Sequence, residues 1–497
     1  MQSNRPILQR DALVVMNVQK DLSENATGLS YEHATLEQIV ELQQKRRGAL
    51  AVGGSDAIIA GINSLITGSF DEKTVIYTQK QYDANHVNFA RMYGKKPFAK
   101  RAFTTQELLD FDNTMYGADK ESKKITLTPK ARAIVVPNQE IKDNNKSIEY
   151  TLWPEHCVQR SKRNNGAEFH AELVQLQGAP VFKNWRATAP YSCLFDVQGN
   201  PATGFVNHLA EQGIKGTLYF VGLALDYDVY YSALDTINKL KHLSDGHHRV
   251  VVVYDATKAI FEQDRAQKIA DLRQAGVKIL SITEVRASRA LKFKLSSLLD
   301  DIDINAIANS FEDAWDAFNQ LLPSDMTPSV IAIKVELLKL QQFIENFNEA
   351  ELLKLLALIK NEEPDAKEAH QKLATWGDPI KTSIYNIEKL YLPLLPDKIK
   401  KTVVTLLAAL VGGLTVLGLT GGLAPILAGF MAGTASPLFT GSALTAAGAF
   451  LSASGAAYGA YRFFPAVRAS PAVINFSEKS WAFAWATDRV NTYAKGR

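Results

Sequence analysis

A three-layer α/β/α domain on a parallel sheet is predicted for residues 1–290, from two observations. Between residues 11 and 286, short apolar runs alternate with segments of helical spacing. The runs are apolar at consecutive positions, as strands buried on both faces require. In such a fold the reactive side chains collect at the carboxyl ends of the strands.

The elements follow in order. ALVVM at 12–16 is the first strand. Residues 56–66 form a helix, with Ile58, Ile59, Ile62 and Leu65 on one face. TVIYT at 74–78 is the second strand. Residues 92–150 are polar and lysine-rich apart from IVVP at 134–137, and read mostly as an insertion, part of which forms a small subdomain. TLYFV at 217–221 is a strand, 227–240 a helix and RVVVVY at 249–254 a strand. A helix over 266–275 closes at Gly276, where a left-handed residue is expected. Residues 277–282 supply the last strand.

Strand signals vanish after residue 290. Apolar residues at i, i+3 and i+4 mark helices at 305–322, 329–346 and 349–359, punctuated by Pro323, Pro328 and Pro364. Residues 402–461 contain no Asp, Glu, Lys or Arg. Within them 403–424 is long and apolar enough for a membrane-spanning helix, and 441–461, rich in small residues, for a returning leg. Lys398, Lys400 and Lys401 before this stretch, with Arg462 and Arg468 after it, place both ends on the cytoplasmic side. A Gly/Ala-rich helix pair buried in protein is the alternative. The predicted order is therefore the α/β domain at 1–290, a helical domain at 291–400, an apolar hairpin at 401–465 and a tail at 466–497.

Composition narrows the partners. The chain is 46% hydrophobic and 22% charged, as globular proteins are. A net charge of +3 over 497 residues gives no basic stripe for nucleic acid. Two cysteines, Cys157 and Cys193, exclude a disulfide framework and suit a reducing cytosol. The opening residues lack a signal-peptide core, so Sec export is not expected. The α/β domain is expected in the cytosol, membrane-associated through 403–461.

Four segments carry a resemblance. ALVVMNVQKD at 12–21, TQKQYDANHVNFA at 78–90, LWPEHCVQRSKRNNGAEF at 152–169 and VGLALDYDVYYSALDT at 221–236 stand in the order found in nicotinamidases of the isochorismatase-like hydrolase superfamily, which they resemble. The resemblance implies a cysteine at position 228, a general-base Asp at 17, a lysine at 183 where VFKN at 181–184 ends a central strand, a helix start at YSCLFD over 191–196, and a metal held near 80, 82, 86 and 156. Here Asp228 replaces the nucleophile and Asn17 replaces the base; an amide has no carboxylate to take a proton. Lys80 and Tyr82 replace metal ligands, leaving His86 and His156, an incomplete set for a metal. No cofactor is expected, zinc included. Lys183 reads either as a retained catalytic lysine or as the ion-pair partner of Asp228. Leu223 and Ala224 match the oxyanion-hole region, and Trp153, with Lys80 and Tyr82, lines the pocket where a nicotinamide-like ligand would bind. Cys193 reads as a buried thiol, and His242, His247 and His248 as a solvated cluster.

Three functional readings follow. The first is a membrane-anchored, catalytically degenerate nicotinamidase-like protein that binds a small ligand or a protein partner. The second is an active amidohydrolase with Asp228 as base and Lys183 as electrophile acting through water. The third is a scaffold whose helical C-terminal half does the work. The overall layout is similar to that of effectors that intracellular bacteria deliver to host membranes.

Overall fold

The computed structural model describes residues 10–23, 50–115, 125–136, 147–158, 166–242, 246–247, 249–298, 328–346 and 386–391, with a few positions between 309 and 383. The chain divides into two compact units, Gln9–Ile282 and Met1–Leu8 with Thr283–Arg497.

In the first unit six parallel strands form one sheet. In chain order they are β1 (Arg10–Met16), β2 (Val75–Lys80), β5 (Val181–Asn184), β6 (Ile214–Leu223), β9 (Val250–Lys258) and β10 (Lys278–Leu280). Their spatial order is β10-β9-β6-β1-β2-β5. β1 lies between β6 and β2, so every residue after Arg10 in it is buried. One face, including Ala12, Val14, Leu218, Phe220 and Val252, packs with residues of α5 (Phe205–Glu211), α6 (Tyr230–Lys239) and α7 (Arg265–Gln274) in one core cluster. The other face is covered by α2 (Asp56–Gly68), which follows the short helix α1 (Lys20–Ser23) and buries Ile58, Ile59, Ile62 and Leu65 as its spacing predicts. This is the parallel α/β sheet read from the sequence.

The insertion carries its own elements. β3 (Lys100–Thr104) pairs antiparallel with β4 (Ser147–Thr151), and between them lie α3 (Thr105–Met115) and α4 (Pro129–Ile134). Thr104 and Glu107 form a reciprocal cap at the start of α3: the Glu107 carboxylate accepts the Thr104 amide at 2.7 Å, and the Thr104 hydroxyl accepts the Glu107 amide at 3.1 Å. Phe103, Leu108, Tyr150 and Leu152 form a small core of their own.

Three local expectations are corrected. β5 is an edge strand, with Val181 and Lys183 exposed and Asn184 buried. Residues 191–196 form bends instead of a helix. Side chains hold the backbone there: Asn184 Nδ2 donates to the Ser192 carbonyl at 3.1 Å, the Ser192 hydroxyl accepts the Leu194 amide at 3.2 Å, and the Thr203 hydroxyl donates to the Cys193 carbonyl at 2.6 Å. The last strand stops at Leu280, because the Asp255 carboxylate accepts the Ile282 amide at 2.8 Å and helix α8 (Ile282–Leu298) starts. His242 and His247 fall in the short pairing of β7 (Lys241–His242) with β8 (Gly246–His247); their side chains, and His248, lie outside the described residues.

In the second unit the described residues are helical. α9 (Pro328–Asn346) matches the predicted 329–346 helix and buries Val330, Ile333, Leu337 and Leu340. The 349–359 helix and the 403–461 hairpin lie outside the described residues. Among the described residues, no helix is long and apolar enough to cross a membrane.

Candidate active site

Four strand ends deliver the site. β1 runs into Asn17, which takes a left-handed φ of 48°, a conformation Asn tolerates better than most residues. β2 ends on Lys80 and β5 on Asn184, its cross-strand neighbour. β6 ends in a cis peptide between Leu223 and Ala224, both buried. A π-helical turn, Leu225–Val229, then carries Asp228 into α6. The turn reaches β1 because residue 222 is glycine. At its φ of 104°, a Cβ would stand 2.1 Å from the Met16 carbonyl oxygen.

Lys80, not Lys183, pairs with Asp228. The Lys80 Nζ lies 2.8 Å from Asp228 Oδ1, with side-chain exposures of 4% and 13%. The same ammonium donates to the Pro190 carbonyl. Gln19 fixes the Lys80 backbone from both sides, donating to its carbonyl at 2.7 Å and accepting its amide at 2.8 Å. Burial pushes the Asp228 carboxyl up, and Lys80, then Asn17, pull it back down. Asn17 Oδ1 accepts from the Thr78 hydroxyl at 3.0 Å, which turns its Nδ2 into a buried donor beside Asp228 without a well-formed bond. The ion pair expected for Lys183 is thus overturned. Strand side chains alternate, so Asn184 faces inward and Lys183 faces solvent.

Where the resemblance placed a metal, the structure has packed rings. Tyr82 sits 4.3 Å from the His86 ring and 5.4 Å from the His156 ring, centroid to centroid, and Phe89 touches all three. His86 uses both nitrogens on backbone: Nε2 donates to the Trp185 carbonyl at 3.1 Å, and Nδ1 accepts the Asn88 amide at 3.2 Å. His156 Nδ1 donates to the Pro154 carbonyl at 2.8 Å. Burial, with the Lys80 charge, pushes His86 down to about 3 and His156 to about 4, so both are neutral at pH 7. Tyr82 is pushed well above its usual range, chiefly by burial, and offers no phenolate. With the His86 lone pair engaged and an ammonium beside it, these residues do not fit a divalent ion. Among the described residues, no cluster of three or more His, Cys, Asp or Glu could hold one.

A layer of aromatic side chains packs around Trp153. Trp153 meets Tyr227 at 4.7 Å, edge to face, and Phe98 at 5.9 Å, while Tyr191 meets Tyr227 at 5.0 Å. Outside this aromatic layer lies a cleft of about 180 Å³ lined by Lys100, Thr151, Tyr191, Asp226, Tyr227 and Lys268, among others. Asp226 is a residue the sequence reading missed. Its two oxygens accept the Ile260 and Phe261 amides at 2.9 Å each, and burial pushes it up to about 6. Its only sequence signal is its place two residues before Asp228, in the same turn. Neither cysteine is a displaced nucleophile: burial pushes Cys193 up to about 12 and Cys157 well above the usual thiol range.

A parallel α/β sheet that gathers a strand-to-helix turn and the ends of β1 and β2 is the scaffold of an isochorismatase-like hydrolase. Residues 11–284 match the isochorismatase domain family, and the chain belongs to it. No recognised family covers the C-terminal half. The nicotinamidase of Escherichia coli K12 is 26% identical over 242 residues, spanning 48% of this chain and 89% of that protein. Among solved structures, the nicotinamidase/pyrazinamidase of Acinetobacter baumanii is 25% identical, with a TM-score of 0.37 over 56% of this chain and 98% of its own. The pyrazinamidase of Pyrococcus horikoshii, solved in complex with zinc, is 21% identical, with a TM-score of 0.32 over 55% and 98%.

Proposed function

We propose that this chain is a nicotinamidase-like protein that has lost amide hydrolysis and acts by binding a nicotinamide-like ligand or a protein partner. One observation carries the reading: the residue at the nucleophile position is a carboxylate held in a buried 2.8 Å pair with Lys80. A carboxylate attacking an amide would have to form an anhydride while expelling a poor leaving group. The neutral, ring-packed histidines support a site that works without a metal. The reading of Lys183 as electrophile loses its support, since that side chain stands on the outer face of an edge strand.

Ammonia release from nicotinamide tests this directly. The wild type is expected to release none above the uncatalysed rate. Asp228→Cys combined with Asn17→Asp supplies a thiol and a base while leaving Lys80 beside the new sulfur, where its charge favours the thiolate. That double variant is expected to gain turnover. Wild-type turnover that disappears in Asp228→Ala would overturn the reading.

Membrane attachment through residues 403–461 completes the proposal, supported by the absence of any Asp, Glu, Lys or Arg over 402–461. The full chain is expected to float with phosphatidylcholine vesicles in a density gradient and to resist alkaline extraction. Protein remaining in the dense fractions would remove the anchor from the proposal.

A further inference from the structure

We propose that the insertion builds a second ligand site, away from the Asp228 turn, for a small monocarboxylate with an apolar body. A cleft of about 280 Å³ opens between the insertion, which contributes Leu127, Arg132, Val135 and Val136, and the parallel-sheet domain, which contributes Phe195 and Lys239. The inference goes beyond the reading above and does not depend on it, since none of these residues touches Lys80 or Asp228.

The cleft is held open by backbone bonds on both sides. Asn207 of α5 accepts the Thr128 amide at 3.0 Å and donates to the Thr126 carbonyl at 2.9 Å. At the other end the Val136 amide donates to the Lys239 carbonyl at 2.8 Å. A segment stitched at both ends keeps its shape without a ligand, which lowers the ordering cost of binding.

The chemistry of the walls selects the ligand. Phe195, buried, is an aromatic floor, and Leu127, Val135 and Val136, each half-buried, are apolar sides. Two cations stand over them. The Lys239 Nζ lies 5.2 Å from the Phe195 ring centroid and pairs with Asp235 at 2.7 Å, so its charge is compensated. The Arg132 Nε donates to the Leu127 carbonyl at 3.0 Å, and among the described residues no carboxylate pairs with the guanidinium. The cleft therefore holds one uncompensated positive charge, which matches a single anion. The free end of a guanidinium can take both oxygens of a carboxylate. The volume lies just below the usual range for ligand pockets, enough for one ring or a short chain. Aryl carboxylates and short fatty acids share this chemistry.

Calorimetric titration of the full chain with benzoate and hexanoate, beside benzamide and hexanamide, tests the site. Both acids are expected to bind, each at least tenfold more tightly than its amide, and more weakly as salt rises. Arg132 is exposed, so Arg132→Gln is expected to keep the melting temperature while weakening both acids at least tenfold. Val136→Trp, which fills the cleft without changing its charge, is expected to abolish binding. Absence of heat with both acids in the wild type, or unchanged affinity in either variant, would overturn the site.

Discussion

Replacing Lys80 with methionine is expected to destabilise the α/β domain by about 3–5 kcal/mol at pH 8, because it strands a buried carboxylate. Asp228 already sits above its ordinary range, with Lys80 the largest influence holding it down. Without that ammonium its folded-state value rises further. Between the unfolded value and that higher one, the folded chain binds more protons than the unfolded chain. Stability then falls as pH rises through the window, so the variant is worst in mild alkali and nearest wild type in acid. Lys80→Met with Asp228→Leu removes both charges and is expected to recover most of the loss. Urea unfolding at pH 5 and pH 8 measures the cycle. An equal loss at both pH values, or a double variant no better than the single, would show that the pair is not what stabilises this corner.

The second large effect concerns the glycine behind the turn. Gly222→Ala places a methyl 2.1 Å from the Met16 carbonyl oxygen and 2.9 Å from its amide nitrogen, on a residue whose φ of 104° already disfavours any side chain. Both obstacles are backbone in the middle of the sheet and have nowhere to go. The cost is expected to reach about 4 kcal/mol or more, placing the variant among the severe class of single substitutions. Soluble yield and urea midpoint read it out. A loss under about 1 kcal/mol would mean that β6 can slide away from β1 at no cost to the fold.

The sheet was legible in the sequence because its central strands are buried on both faces, and unbroken apolar runs such as 12–16 mark that directly. Asn17, Lys80, Tyr82, His86, His156 and Asp228 were legible as positions, since the segments that carry them resemble those of a known family in order. Their partners were not. Whether Lys183 or Lys80 reaches Asp228 depends on one residue of strand register, which decides the face a side chain takes. The expected central strand is an edge in the structure, with Val181 and Lys183 exposed on β5, where a lysine facing solvent is common. The contact of Tyr227 with Trp153 joins segments distant in sequence, which no single segment announces. Asp226 was missed for a related reason: the two amides that hold it lie at residues 260 and 261.

The strand order has a consequence for biosynthesis. β1 is made first, yet its neighbour on one side, β6, follows about 200 residues later. At ribosomal speeds of about 5–20 residues per second, half of that greasy ribbon stays bare for roughly 10–40 s after it leaves the tunnel. During that interval it is an open template for any passing strand, so a newborn chain has reason to engage a holding chaperone before Gly222 emerges.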